Sequence, residues 1–175
     1  MNQAVVAVVG TKKSGKTTTI ERLIRELSSR GYKVAAIKHV SEPDHTIDTQ
    51  GKDTWRYAQA GAKTIVSVAT NEIVTIEKRS LETVSIDMLL EKCMGNDIIF
   101  IEGLKKKVAK RKDIAKIVVT KTMDESADAI ETYEPILAFS GPYSTKNLNS
   151  EIPYENALEN SERLVDIIET NLLKK

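Results

Sequence analysis

The stretch Ala4-Val5-Val6-Ala7-Val8-Val9-Gly10-Thr11-Lys12-Lys13-Ser14-Gly15-Lys16-Thr17 decides the fold. It opens as a short apolar, β-branched run, the composition of a strand buried on both faces in a parallel sheet. Gly10 to Thr17 then match G-x-x-x-x-G-K-[ST] in full, a phosphate-binding pattern that requires a strand before it and a helix after it. Ile20, Leu23, Ile24 and Leu27 supply that helix, recurring at i, i+3, i+4 and i+7 and stopping near Gly31.

Further along, Val34 to Ile37 reads as a second strand closing a βαβ unit. Asp53 to Ala60 reads as a short helix, and Thr64 to Ala69 with Ile73 to Glu77 as a hairpin turning at Thr70-Asn71. Ile86, Leu89, Leu90 and Cys93 suit another short helix. Asp97 to Ile101, Ile114 to Val119 and Ile136 to Phe139 are strands of the buried type. Leu158, Leu164, Val165, Ile168 and Leu172 close the chain on an amphipathic helix. The alternation predicts one α/β domain over residues 1–175, a three-layer phosphate-loop NTPase with a mostly parallel sheet and a β-hairpin insertion.

Composition bounds the function. Lys plus Arg is 26 and Asp plus Glu is 25, a formal charge of +1, so no global field holds the chain on nucleic acid or an anionic membrane. Aromatic residues are 5%, too few for a base-stacking platform. The longest apolar run, Ala4 to Val9, is far short of the roughly 20 residues that span a bilayer, and Met1 to Gln3 carries no basic leader. The single cysteine, Cys93, forms no internal disulfide and reads as a small core residue. His39 and His45 lack a third metal ligand at suitable spacing. A cytoplasmic enzyme or small-molecule-binding adaptor is expected.

The motif dictates its chemistry. The glycines let successive backbone N–H groups of residues 10–18, Gly10, Thr11, Lys12, Lys13, Ser14, Gly15, Lys16, Thr17 and Thr18, face phosphate oxygens, with the helix N-terminus adding positive partial charge. Lys16 should reach the β and γ phosphates, and the Thr17 hydroxyl should bind Mg²⁺. A carboxylate is also needed at the carboxyl end of a neighbouring strand. Asp97 and Glu102 compete, about 16 Å apart at roughly 3.3 Å per residue; Glu102 is at the correct end, where Gly103 offers a backbone N–H to the γ-phosphate.

The polar segment after the second strand carries Lys38, His39, Asp44, His45, Asp48, Gly51, Lys52, Asp53 and Arg56. It is either a switch, with Asp48 holding Mg²⁺ or its water, or a solvated loop leading into a helix that Asp53 helps to cap. Lys105 to Lys112 concentrates positive charge after Glu102, either a solvated loop or an attractor for a second phosphorylated ligand. Lys16, Glu102 and Asp48 are the catalytic candidates, and Thr17, Glu102 and Asp48 the metal ligands.

Several of these pieces resemble the MobB molybdopterin-guanine dinucleotide biosynthesis proteins. They are Gly10 to Thr18, Ile37-Lys38-His39, Asp48 to Thr54 with Arg56 and Ala60-Gly61-Ala62, Ile101 to Lys105, and Ala115 to Val118. Gln50 stands where the family usually has proline, and Lys105 to Lys112 is longer than the family pattern. The resemblance implies a homodimer that binds GTP with Mg²⁺, hydrolyses it slowly at most, and assists attachment of GMP to molybdopterin by a separate guanylyltransferase. Guanine selectivity rests on the resemblance alone. The usual Asn/Thr-Lys-x-Asp reader is absent: Thr120-Lys121-Thr122-Met123-Asp124 has one residue too many, and Ser140-Gly141-Pro142 is an equally placed candidate. The competing reading is a small-molecule kinase using ATP with Mg²⁺, with His39 or Asp48 as base, and a third is an adaptor with a vestigial loop.

Overall fold

The computed structural model describes residues 3–42, 45–145 and 151–173; Asp44 of the polar segment lies outside them. It divides into two compact units, residues 1–39 with 89–175, and residues 40–88.

The larger unit is built on five parallel strands: β1 (Ala4–Gly10), β2 (Val34–Lys38), β5 (Ile98–Glu102), β6 (Ala115–Val119) and β7 (Ile136–Ser140). Their order is β2-β5-β1-β6-β7, so β5 separates the two strands of the expected βαβ unit. The residues explain the placement. Ile98-Ile99-Phe100-Ile101 is buried on both faces, as a central strand must be, whereas Val34 to Lys38 is half-exposed and takes the edge.

Helices α1 (Lys16–Ser29) and α6 (Ser161–Leu172) cover one face. Ile20, Leu23 and Leu27 of α1 and Leu164, Val165 and Ile168 of α6 enclose Val6, Val8, Ile98, Phe100, Ile117, Val119 and Ala138. The alternate strand residues Ala7, Val9, Ile99, Ile101, Val118 and Phe139 are also buried. Val108 on α4 (Lys105–Val108) and Ala129 on α5 (Met123–Thr132) are buried as well. Leu158 precedes α6 and is exposed, outside the stripe expected of it.

In the smaller unit, α2 (Asp53–Gln59) lies against the hairpin of β3 (Thr64–Val68) and β4 (Ile73–Glu77). The Ala69 N–H donates to the Glu72 carbonyl at 2.8 Å, which sets the turn on Thr70-Asn71 as expected. α3 (Ile86–Glu91) spans the sequence boundary between the units. No described helix is long and apolar enough to cross a membrane.

Candidate functional site

The carboxyl ends of β1, β5 and β2 bring the larger unit's candidates together. β1 ends at Gly10, whose added Cβ would lie 2.3 Å from the Val119 carbonyl oxygen of the neighbouring strand, so only glycine fits this exit. The chain turns through Lys13 at φ 60 and enters α1 at Gly15, φ 100, in the left-handed region. No side chain caps α1 and its first turn carries no acid; its first N–H groups and positive partial charge are therefore left for an anionic ligand. Ser14 is buried, and its hydroxyl has no hydrogen-bond partner among the described residues.

Lys16 donates from Nζ to the Thr11 carbonyl at 2.6 Å, folding across the loop. Burial pushes its ammonium below the usual value, and Lys105, Lys38 and Lys121 push the same way while Glu102 opposes them. Several cations therefore converge on one loop, an arrangement suited to a polyanion such as a phosphate chain. The Thr17 hydroxyl donates to Glu102 Oε1 at 2.9 Å. One hydroxyl and one carboxylate, both hard oxygen donors, fit Mg²⁺, which keeps most of its waters and takes its remaining oxygens from phosphate. Among the described residues no group of three or more His, Cys, Asp or Glu is placed to hold a metal ion.

Asp97 stands at the other end of β5, where its Oδ2 accepts the Lys33 backbone N–H at 2.7 Å, the strand-entry role expected of it. Glu102 lies beside Lys38, its partner in the β2–β5 register. Lys38 Nζ is 3.1 Å from Glu102 Oε2 and 3.3 Å from Thr17 Oγ1. The Gly103 N–H points to the Val8 carbonyl at 3.4 Å rather than standing free for a γ-phosphate. An added Cβ on Gly103 would come within 3.2 Å of the His39 Cβ, which leaves His39 packed against this corner.

The family model for molybdopterin guanine dinucleotide synthesis protein B, MobB, matches residues 5–140. The chain belongs to the MobB family. A relative from Methanocaldococcus jannaschii is 34% identical over 155 residues, 88% of this chain and 62% of that relative, so the match spans less than two thirds of it. A Haemophilus influenzae protein named molybdopterin-guanine dinucleotide biosynthesis adapter protein is 31% identical over 137 residues, 75% of this chain and 76% of its own. The crystal structure of Bacillus subtilis MobB aligns with 98% of this chain and 99% of its own at a TM-score of 0.75 and 24% identity, a likeness of fold.

In this MobB-family chain Asp48 belongs to the 40–88 unit. Its Oδ1 accepts from the Thr54 hydroxyl at 2.7 Å, and its Oδ2 is buried without a hydrogen-bond partner among the described residues. Asp53 is the first residue of α2, not its cap; Lys52 takes the capping position and Asp53 adds charge to the first turn. The basic run is not a loop at its start, because Lys105 to Val108 forms α4 and Val108 is buried. Several of its cations are engaged locally: Lys110 Nζ donates to the Glu131 carbonyl at 2.8 Å, and Arg111 pairs with Asp113 at 2.6 Å. Lys105 instead lines an open cleft beside Gly10 and Thr11, with Thr120, Glu125, Asp128 and Tyr133. Cys93 is half-buried, and burial pushes its thiol up, away from the reactive thiolate.

Sequence reasoning did not single out Glu125, although it holds the phosphate loop. Burial works against its charge, but the Lys121 N–H, the Thr11 hydroxyl and the lysines at 121 and 105 outweigh that and hold its carboxyl below the usual range. The available signal was Thr122-x-x-Glu125, a helix-start pattern. The Thr122 side chain indeed accepts from the Glu125 N–H at 3.3 Å.

Proposed function

We propose that this chain is a GTP-binding accessory protein with at most slow GTPase activity, one that assists attachment of GMP to molybdopterin by a separate guanylyltransferase. The observation that carries the nucleotide half is the Thr17–Glu102 contact of 2.9 Å at the uncapped start of α1, with Thr17 next in sequence to Lys16. The adapter role is supported by the family and by the name of the Haemophilus influenzae relative; that the chain acts as a homodimer in the cytoplasm is part of the same proposal.

In this reading the N–H groups of residues 10–18 bind the α and β phosphates, and Lys16 exchanges its Thr11 carbonyl for β and γ oxygens. Thr17 and Glu102 would hold Mg²⁺, which would supply positive charge against that of the phosphates. The deciding experiment is calorimetric titration with GTP, ATP and the two diphosphates, with and without Mg²⁺. Selective, Mg²⁺-dependent GTP binding is expected. Preference for ATP would overturn the guanylyl-transfer reading in favour of a small-molecule kinase.

A further inference from the structure

Lys38 supplies what the sequence motif does not predict, a cation already seated where the magnesium would go. It is the last residue of β2, in register with Glu102 across the parallel β2–β5 pair. Its Nζ lies 3.2 and 3.1 Å from the two Glu102 carboxylate oxygens and 3.3 Å from the Thr17 hydroxyl oxygen. Thr17 and Glu102 are the groups that the nucleotide reading assigns to Mg²⁺. The carboxylate is largely withdrawn from water, with its side chain 14% exposed, whereas Lys38 is 54% exposed. The carboxylate is therefore the enclosed partner of the pair and the lysine the exposed one.

An ammonium spread over both carboxylate oxygens competes with a divalent cation for them. Both need the same lone pairs, and at a few ångströms their charges repel strongly. A displaced Lys38 then needs another anion. Its Nζ lies 3.3 Å from the hydroxyl of Thr17, the residue next to Lys16, so phosphate charge gathered at Lys16 stands close by, and a triphosphate brings one phosphate more than a diphosphate.

We propose that Lys38 is a positioning residue that occupies the Glu102–Thr17 site in place of the metal, so that Mg²⁺ enters only by displacing it and a triphosphate, by receiving the freed ammonium, favours that exchange over a diphosphate. The inference rests on the nucleotide-binding reading of the site. It makes metal loading depend on the number of phosphates, which is a means of telling GTP from GDP.

The test is a Mg²⁺ titration of the full chain at fixed GDP and at fixed non-hydrolysable GTP analogue, in wild type, Lys38→Met and Lys38→Arg. Removing the competitor should lower the Mg²⁺ concentration for half-saturation of the GDP complex about tenfold in Lys38→Met. The same variant should lose about tenfold of the preference for triphosphate over diphosphate, the worth of one charge-assisted hydrogen bond. Lys38→Arg should keep both within about threefold, because it keeps the charge. An unchanged or higher Mg²⁺ requirement in Lys38→Met overturns the proposal.

A second measurement needs no variant. Acetylation of Lys38 in wild type, read by mass spectrometry, should rise on adding Mg²⁺ with GDP relative to GDP alone, and equal or reduced labelling overturns the proposal. Wild type that binds neither nucleotide would refute the nucleotide reading itself, a different outcome from wild type that binds both while Lys38→Met behaves identically.

Discussion

The Thr11 hydroxyl donates to Glu125 Oε1 at 2.9 Å, joining residues 114 apart in sequence. The other oxygen, Oε2, accepts the Lys121 backbone N–H at 2.8 Å, and Lys121 Nζ reaches back to the Lys12 carbonyl at 3.3 Å. The phosphate loop is thus held from both sides by the segment that follows β6. Glu125→Ala should cost about 1–2 kcal/mol of stability through these lost charge-assisted bonds. It should also weaken nucleotide binding roughly three- to tenfold, because the loop must then be ordered on binding. Calorimetry and thermal melting on the same preparation separate the two effects, and unchanged affinity with lowered stability would leave Glu125 a structural residue only.

Two loop glycines should fail in different ways. An added Cβ on Gly10 would meet the Val119 carbonyl oxygen at 2.3 Å and the Ser14 hydroxyl at 2.7 Å. The first is backbone and cannot move without breaking the β1–β6 pairing. Gly10→Ala should therefore cost about 3 kcal/mol or more, a fall in melting temperature of roughly 6–12 °C at this size. Gly15 has open space around its Cβ position and only its φ of 100 to lose. Gly15→Ala should fold with a penalty of about 1–2 kcal/mol yet bind nucleotide poorly, because the new methyl sits at the uncapped helix end. Melting curves beside nucleotide titration of both variants check the contrast.

What was legible in the sequence was local. β1, the motif and the stripe of α1 are adjacent, so each constrains the next, and the hairpin turn announces itself in Thr70-Asn71. The order of strands was not legible, since Val34 to Ile37 and Ile98 to Ile101 both read as strands and only their burial tells edge from centre. α5 was missed because Met123 to Thr132 buries little beyond Ser126 and Ala129, leaving a weak apolar stripe. Glu102 was found from its place at a strand end, but its neighbour Lys38 is set by sheet register across 64 residues, which no local pattern encodes.

Beside its apolar packing, the pairing of α1 with α6 carries an ion-pair network centred on one side chain at the end of α1. Arg30 binds Asp166 at 2.7 Å and Glu169 at 2.6 Å through Nη1, and Glu26 at 2.8 Å through Nε. The Asp166 bond outweighs the cost of burial and, with Glu26 and Glu169, raises the guanidinium pKa further above its ordinary value. Because Arg30 is only a quarter exposed, this network is worth more than a surface pair. Arg30→Ala should lower stability by about 1–3 kcal/mol, with Arg30→Lys recovering only part because one ammonium cannot fork to three carboxylates. Equal stability of Arg30→Lys and wild type in urea melts would show that charge alone matters.

Lys116 carries the clearest pH signature. Its side chain is fully buried on β6, with Nζ donating to the Arg111 and Glu134 carbonyls, each at 2.6 Å. Burial lowers its pKa to about 8 from 10.5, against the opposing pull of Asp113 and Glu134 and with help from Lys110 and Arg111. The unfolded chain therefore holds this proton up to a higher pH than the folded chain does. Stability gained from this residue must rise as pH increases from about 8 to about 10.5, and below about 8 the full cost of burying the charge is present. A neutral amine still donates both hydrogen bonds, so nothing is lost at the alkaline end. Lys116→Met removes the titration. The stability difference between wild type and Lys116→Met, followed by denaturant unfolding from pH 7 to 10.5, should shift toward wild type by about 1–3 kcal/mol across that window. A flat difference would mean that Lys116 keeps its ordinary pKa inside the fold.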